Sequence, residues 1–361
     1  MKVTQSSTSK GLRTRLTNHR KYPSLILDGG MGTSLNKLGL TEYEAWGSPR
    51  MLSDAHIRNS VKTVHRNFLE SGVDIITTNT YDSSFTLGLP EQNSKENQWV
   101  FDNIDLAKET IDEFMAKMPK SCDISRPLLA MSVSSVATIL FGRAATANRE
   151  QNTCDDYARC PGYGFKESEI VSYFNVLLTD DILRYAAMGD VSILAFETIG
   201  DLLEVEIICD ILKTKADILS ETALSTWVTL TCPDEKTVDT GDSVTCCIEV
   251  LAKCPQVTGV GINCTEPHLI TPLIGLIKQA LKDYNAEDKL IVVYPNSGET
   301  YISDDTLKEG QEDHWKFKTS MYDDWNYADA ALEWIKSGVH IVGGCCRITA
   351  DNIAELVEKL Q

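Results

Sequence analysis

The sequence predicts an α/β protein built as a single (β/α)8 TIM barrel with loop insertions at its C-terminal face. Three observations carry that expectation. Eight short, almost uninterrupted apolar runs occur along the chain, segments with helical spacing separate them, and most of the runs end in polar residues or cysteine. Such runs read as strands buried on both faces of a parallel sheet. Eight strand–helix alternations suit a closed barrel. An open doubly wound sheet is the competing architecture, but nothing in it calls for eightfold closure.

The first run, 24–28, follows Pro23. A helix then shows in Ile57, Val61, Val64 and Phe68, which recur every three or four residues before Gly72; glycine is a common helix stop. Runs two and three are 73–78 and 128–133. Val171, Phe174, Leu178, Ile182 and Tyr185 repeat the helical theme up to Gly189, ahead of run four at 192–197. Runs five and six are 226–231 and 258–263. Pro267 opens a helix with Ile270, Leu273, Ile274 and Ile277 on one face, a position where proline costs nothing. Run seven is 290–294, Trp334 and Ile335 precede a stop at Gly338, and run eight is 339–342. An amphipathic stretch, 352–360, ends the chain. Starts of runs four to seven lie 32 to 34 residues apart, the size of one strand–helix unit. The wider gaps must hold insertions, expected at 82–98, 141–165 and 297–324. All three leave from strand C-termini, where barrels place active-site loops.

Of 361 residues, 42% are apolar and 24% charged, enough for a large core. The net charge of −18 argues against a nucleic-acid partner, because basic groups supply affinity for phosphate backbones. It also argues against an anionic membrane surface, and no apolar run approaches the roughly 18–20 residues of a membrane span. Residues 1–27 carry six basic side chains and no acidic one, so the rest of the chain carries −24. We divide the chain into a basic, flexible tail (1–22) and a barrel domain (23–361). The location expected is cytoplasmic; the Ser/Thr/Arg-rich start is the feature that would instead direct the chain to mitochondria. A monomer is compatible with the sequence.

Eleven cysteines, an odd number without an apolar signal segment, do not read as a secreted disulfide framework. The question is which of them do chemistry. Cys345 and Cys346 follow Gly343-Gly344 at the end of run eight. Neighbouring Cα atoms about 3.8 Å apart are too close for a relaxed disulfide. A glycine-led turn can instead aim both thiols at one point, and Cys264, ending run six, is the natural third ligand. Three thiolates and an open fourth position describe a catalytic zinc rather than a structural one. Cys246 and Cys247 fall in an apparent helix and point about 100° apart. Cys232 ends run five and is a weaker candidate. Cys154 and Cys160 flank an insertion, Cys122, Cys209 and Cys254 read as packing or surface positions, and His268 as a capping or surface histidine.

Two carboxylates accompany the thiols. Asp28 ends run one, and Glu197 leaves the apolar stretch Ile193-Leu194-Ala195-Phe196. Together they could hold an ammonium group, while Gly29 and Gly30 offer backbone N–H groups to a carboxylate. Ammonium plus carboxylate is an amino acid. Asn79 and Asn263, amides at the ends of runs two and six, complete the expected substrate-binding set.

At these residues the sequence resembles the homocysteine S-methyltransferase family. The resemblance rests on Leu27-Asp28-Gly29-Gly30-Met31-Gly32-Thr33, Thr78-Asn79-Thr80-Tyr81, Phe196-Glu197-Thr198, Gly261-Ile262-Asn263-Cys264 and Gly343-Gly344-Cys345-Cys346-Arg347. It implies a zinc-bearing barrel, with zinc on Cys264, Cys345 and Cys346 and the amino group of L-homocysteine on Asp28 and Glu197. With one helix after run eight, no cobalamin or folate domain is expected. The compact relatives use a sulfonium methyl donor, S-methylmethionine or S-adenosylmethionine, and form methionine. Tyr81, Trp46 or an aromatic of the last insertion would face the sulfonium through cation–π contact. A non-enzymatic thiol-rich zinc-binding or redox-sensing protein is the competing function, and a phosphate-binding barrel using Gly343-Gly344 ranks last.

Overall fold

The computed structural model describes residues 12, 16, 23–40, 51–81, 96–119, 125–138, 161–301, 315–317 and 325–361. Eight parallel strands form one sheet: β1 (Leu25–Ile26), β2 (Ile75–Thr77), β3 (Leu128–Ser134), β4 (Val191–Ile199), β5 (Ser225–Leu230), β6 (Val257–Asn263), β7 (Leu290–Tyr294) and, eighth in the barrel, β10 (Ile341–Val342). The intervening β8 (Glu299–Tyr301) and β9 (Trp315–Phe317) are a separate antiparallel hairpin inside the 297–324 insertion. Around the barrel the order is β1-β10-β7-β6-β5-β4-β3-β2. A parallel bridge between Leu27 and Ile75 joins the two ends of that series, supported by Asp28 N–H to Ile75 O (3.1 Å) and Asp74 N–H to Ile26 O (2.7 Å). The eightfold closure expected from the sequence is therefore present.

Strand alternation sorts the apolar residues into two cores. Leu25, Leu27, Ile193, Ala195, Trp227, Leu290 and Val292 fill the barrel interior. Their chain neighbours Ile26, Leu194, Val228, Ile291 and Val293 face the surrounding helices, as a period of two requires. Leu12 and Leu16, the described residues of the basic segment, pack on the interior cluster, and Leu12 is 5% exposed.

The outer layer contains α1 (Met31–Lys37), α2 (Ala55–Glu70), α3 (Glu96–Lys117), α4 (Glu167–Leu177), α5 (Asp180–Met188), α6 (Leu202–Thr214), α7 (Ala216–Thr222), α8 (Val244–Ala252), α9 (Pro267–Asp283), α10 (Tyr327–Lys336) and α11 (Ala350–Leu360). The apolar faces expected for α2 and α9 are buried as anticipated, including Ile57, Val61, Val64 and Phe68, and Ile270, Leu273, Ile274 and Ile277. The helix expected across 171–185 is two helices. Thr179 adopts extended backbone and its hydroxyl accepts from Ile182 N–H (3.3 Å), starting α5 with Asp180 and Asp181 in its first turn. Threonine followed by acids is a favourable N-terminus, and it interrupts a spacing that by itself looks continuous. No helix among the described residues is long and apolar enough to cross a membrane.

Candidate active site

β6 and β10 do not pair; β7 lies between them. Their thiols meet because the chain turns sharply past each strand. Cys264, just after β6, has φ +49°, and its N–H bonds to Tyr294 O at 3.2 Å. On the β10 side, Cys345 N–H bonds to Pro295 O (2.8 Å), Cys346 O accepts from Ser297 N–H (3.0 Å), and Arg347 has φ +69°. A left-handed conformation is unfavourable for a residue with a Cβ and is tolerated where surrounding contacts fix it. The result is three sulfurs, of Cys264, Cys345 and Cys346, all within 4.8 Å of one another. Among the described residues this is the one such cluster of His, Cys, Asp or Glu close enough to share an ion. Cys264 and Cys345, with Cα atoms 5.4 Å apart, are joined as a disulfide. Only the reduced chain could offer all three sulfurs as thiolate ligands.

Close backbone approach explains two glycines. A Cβ on Gly30 would lie 2.5 Å from Cys345 O, and one on Gly343 2.7 Å from Asp28 O. These contacts stitch the loop after β1 to the loop that carries two thiols. Gly30→Ala is expected to displace the Cys345 carbonyl and cost about 1–3 kcal/mol, as overpacking does. Urea unfolding of the reduced protein checks this. The same contacts revise one expectation, because Gly30 N–H is committed to Ile348 O (3.0 Å) rather than held open for a ligand.

Asp28 is 3% exposed; its carboxylate accepts from Thr77 N–H (2.7 Å) and the Thr77 hydroxyl (3.0 Å). Burial pushes its pKa up to about 8, with repulsion from Glu197 adding to the rise. Burial likewise pushes Glu197 up to about 7, against hydrogen bonds from Ser132 and Tyr294. The Ser132 hydroxyl donates to Glu197 Oε2. The Tyr294 hydroxyl in turn meets Thr229 Oγ1 at 2.7 Å and receives Trp227 Nε1–H at 3.3 Å. Glu197 thus rests on a polar layer that caps the apolar barrel interior. A buried carboxyl with a raised pKa ionises readily once a cation arrives beside it.

Other predicted residues divide. Asn263 is buried, and both ends of its amide engage Thr198: Oδ1 accepts from Thr198 N–H (2.7 Å) and Nδ2 donates to the Thr198 hydroxyl (2.8 Å). It therefore fixes the left-handed Thr198 (φ +61°) beside Glu197. Asn79 is half-buried beyond β2, and Thr80, next to it, bonds through its hydroxyl to Ser132 O (2.7 Å). Cys247 is buried in α8, its thiol pushed up to about 12 by burial, while Cys246 is exposed. Cys232 is buried with its N–H on Thr265 Oγ1 (3.0 Å). Cys209 and Cys254 are buried packing residues, and His268 stands 3.4 Å from Glu266. Tyr81 is described and half-buried. Trp46, Cys122, Cys154, Cys160 and most of the three predicted insertions lie outside the described residues.

Sequence reasoning placed Thr77, Tyr294 and Asn296 at strand ends but gave them no role, and it did not single out Ser132; Thr77 and Ser132 bond Asp28 and Glu197, and Asn296 bonds Cys264 O and Cys346 N–H. For Ser132 and Tyr294 a signal existed: alternation from Ala130 and from Val292 places both in the barrel interior. It also missed the bidentate pair of Arg347 with Glu299, Nε to Oε2 at 3.0 Å and Nη2 to Oε1 at 3.1 Å. That pair fastens the base of the β8–β9 hairpin to the thiol loop.

Residues 25–360 match the family model for homocysteine S-methyltransferase. A homocysteine S-methyltransferase of Zea mays is 29% identical over 342 residues, covering 93% of this chain and 90% of its own. A selenocysteine methyltransferase of Astragalus bisulcatus is 27% identical, covering 95% of this chain and 94% of its own. In fold, the chain is similar to the crystal structure of an Escherichia coli homocysteine methyltransferase in its metallated form. The TM-score is 0.68 at 19% identity, over 97% of this chain and 100% of that one. The barrel, its thiol cluster and a match spanning nearly all the described residues make this chain a member of the homocysteine S-methyltransferase family.

Proposed function

We propose that the chain is a zinc-dependent enzyme that moves a methyl group from S-methylmethionine or S-adenosylmethionine to L-homocysteine, forming methionine. The observation that carries this reading is one cluster of three thiols at the barrel mouth, on the same face as two buried carboxyls.

The donor set fits zinc: the three cysteine sulfurs, within 4.8 Å of one another, would hold the ion as three thiolate ligands, fewer than a closed structural site uses. Cys264, Cys345 and Cys346 would hold the zinc, which when bound would supply the positive charge that keeps a substrate thiol ionised at neutral pH. Asp28 and Glu197 receive the ammonium group of homocysteine, and that cation draws both carboxyls into their ionised form. Ser132 and Tyr294 keep Glu197 aimed at it, and Thr77 does the same for Asp28. With the amino group fixed, the sulfur of the four-carbon chain is held in one direction, which lowers the entropic part of the barrier. The thiolate then attacks the donor's methyl carbon in line. The new C–S bond forms as the old one breaks, and the electron pair leaves on the donor's sulfur as a neutral thioether. Opposite charges disappear in this step, so a water-poor pocket favours it. The acidity of the barrel domain suits a small cationic donor.

Methionine formation, assayed with each donor in turn on reduced protein of measured zinc content, tests the reading. Turnover with at least one sulfonium donor is expected. Metal uptake or reversible thiol oxidation with no turnover from either donor would instead favour a non-enzymatic thiol protein.

A further inference from the structure

Asn296 takes no part in the chemistry above, yet it stands between the two segments that carry the sulfurs. It follows β7, the strand that separates β6 from β10. Its Nδ2 donates to Cys264 O at 3.0 Å, and its Oδ1 accepts from Cys346 N–H at 3.2 Å. One planar amide therefore spans two loops whose strands do not pair with each other. The backbone at both attachment points is unusual, since Cys264 itself and Arg347, next to Cys346, are left-handed. Such conformations persist where their surroundings over-determine them.

We infer that Asn296 is a positioning residue for the metal centre, a splint that sets the separation of Cys264 from the Cys345-Cys346 pair. The inference rests on the thiolate site proposed above. An amide suits the task because it offers a donor and an acceptor about 2.3 Å apart on one rigid group. Aspartate at this position would keep an acceptor for Cys346 N–H but would set a carboxylate oxygen against Cys264 O. Alanine would remove both bonds. Groups that orient metal ligands in this way typically contribute about 10- to 100-fold in metal affinity.

The experiment compares wild type, Asn296→Ala and Asn296→Asp under reducing conditions. Zinc affinity is measured by competition with a chromophoric chelator, and the thiolate-to-metal charge-transfer band is recorded with cobalt(II). Two further readouts separate positioning from general damage: binding of 2-aminobutyrate, which keeps the amino-acid head and lacks the sulfur, and thermal unfolding of the metal-free chain. Expected are a roughly 10- to 100-fold loss of zinc affinity in both variants and an altered cobalt band. Binding of 2-aminobutyrate and metal-free unfolding should match wild type. Variants with wild-type zinc affinity would overturn the inference while leaving the zinc reading intact. A parallel loss of zinc, 2-aminobutyrate and stability would also overturn it, by making Asn296 a general structural residue. Wild-type protein that takes up no zinc would remove the zinc reading and the inference with it.

Discussion

Cys345→Ala is expected to lose its zinc and, with it, more than about 100-fold of its turnover, the upper end of the cost of losing merely an outer-shell partner of a metal. The reason is geometric. Cys345 lies in the corner where three sulfurs approach within 4.8 Å, and two thiols do not make a three-ligand catalytic site. Cys264→Ala and Cys346→Ala should behave alike. Cys246→Ala, at an exposed position on α8, should retain wild-type metal content and rate. Zinc analysis and methionine formation on the same samples, with circular dichroism to show that the fold survives, check the set.

Asp28→Asn is expected to lower kcat/KM for homocysteine by roughly 30-fold to several thousand-fold, corresponding to the about 2–5 kcal/mol lost when one partner of a buried charge pair is removed. Glu197→Gln should fall in the same range, and both losses should appear mainly in KM, since the proposed role of these groups is to grip the amino end rather than the reacting sulfur. The pH dependence carries a definite sign. Both folded-state pKa values, about 8 for Asp28 and about 7 for Glu197, lie above the ordinary carboxylate range because of burial. The substrate-binding form is the ionised one, so kcat/KM for the wild type should rise with pH as the two groups titrate. Stability should run the other way. Between the unfolded pKa of about 4 and the folded values, the native chain holds more protons than the unfolded chain. The stability contributed by these neutral acids is complete below about pH 4, falls progressively as pH rises above that, and is fully lost above the folded values of about 7 and 8. Asp28→Asn should therefore be more stable than wild type at pH 8.5, measured by thermal unfolding without metal or substrate, while being the poorer enzyme.

Much of this architecture was legible because it depends on local periodicity. The seventh run, 290–294, coincides with β7, while its uniform apolarity left to the structure which residues are interior (Leu290, Val292) and which face the helices (Ile291, Val293). The eighth run, 339–342, is shorter as a formal strand, Ile341–Val342. Even so, His340 bonds to both sides, through Leu25 N–H to His340 O and His340 N–H to Ile291 O. The thiols were legible because strand ends share one face of a barrel. What escaped were features set by hydrogen bonds between distant loops. The same spacing of apolar residues fits one helix or two, and Thr179 decides in favour of two. Asn263 and Asn296 are both amides at strand ends. Neither run of sequence reveals that the first is spent on Thr198 while the second bridges Cys264 and Cys346.

The most direct measurement is zinc-edge X-ray absorption on the reduced, zinc-loaded protein, before and after homocysteine is added. Three sulfur neighbours rising to four is the expected result, because in the proposed mechanism the substrate thiolate would join Cys264, Cys345 and Cys346 as a fourth sulfur. An unchanged sulfur count on adding homocysteine, or full methionine formation by protein shown to contain no metal, would contradict the account.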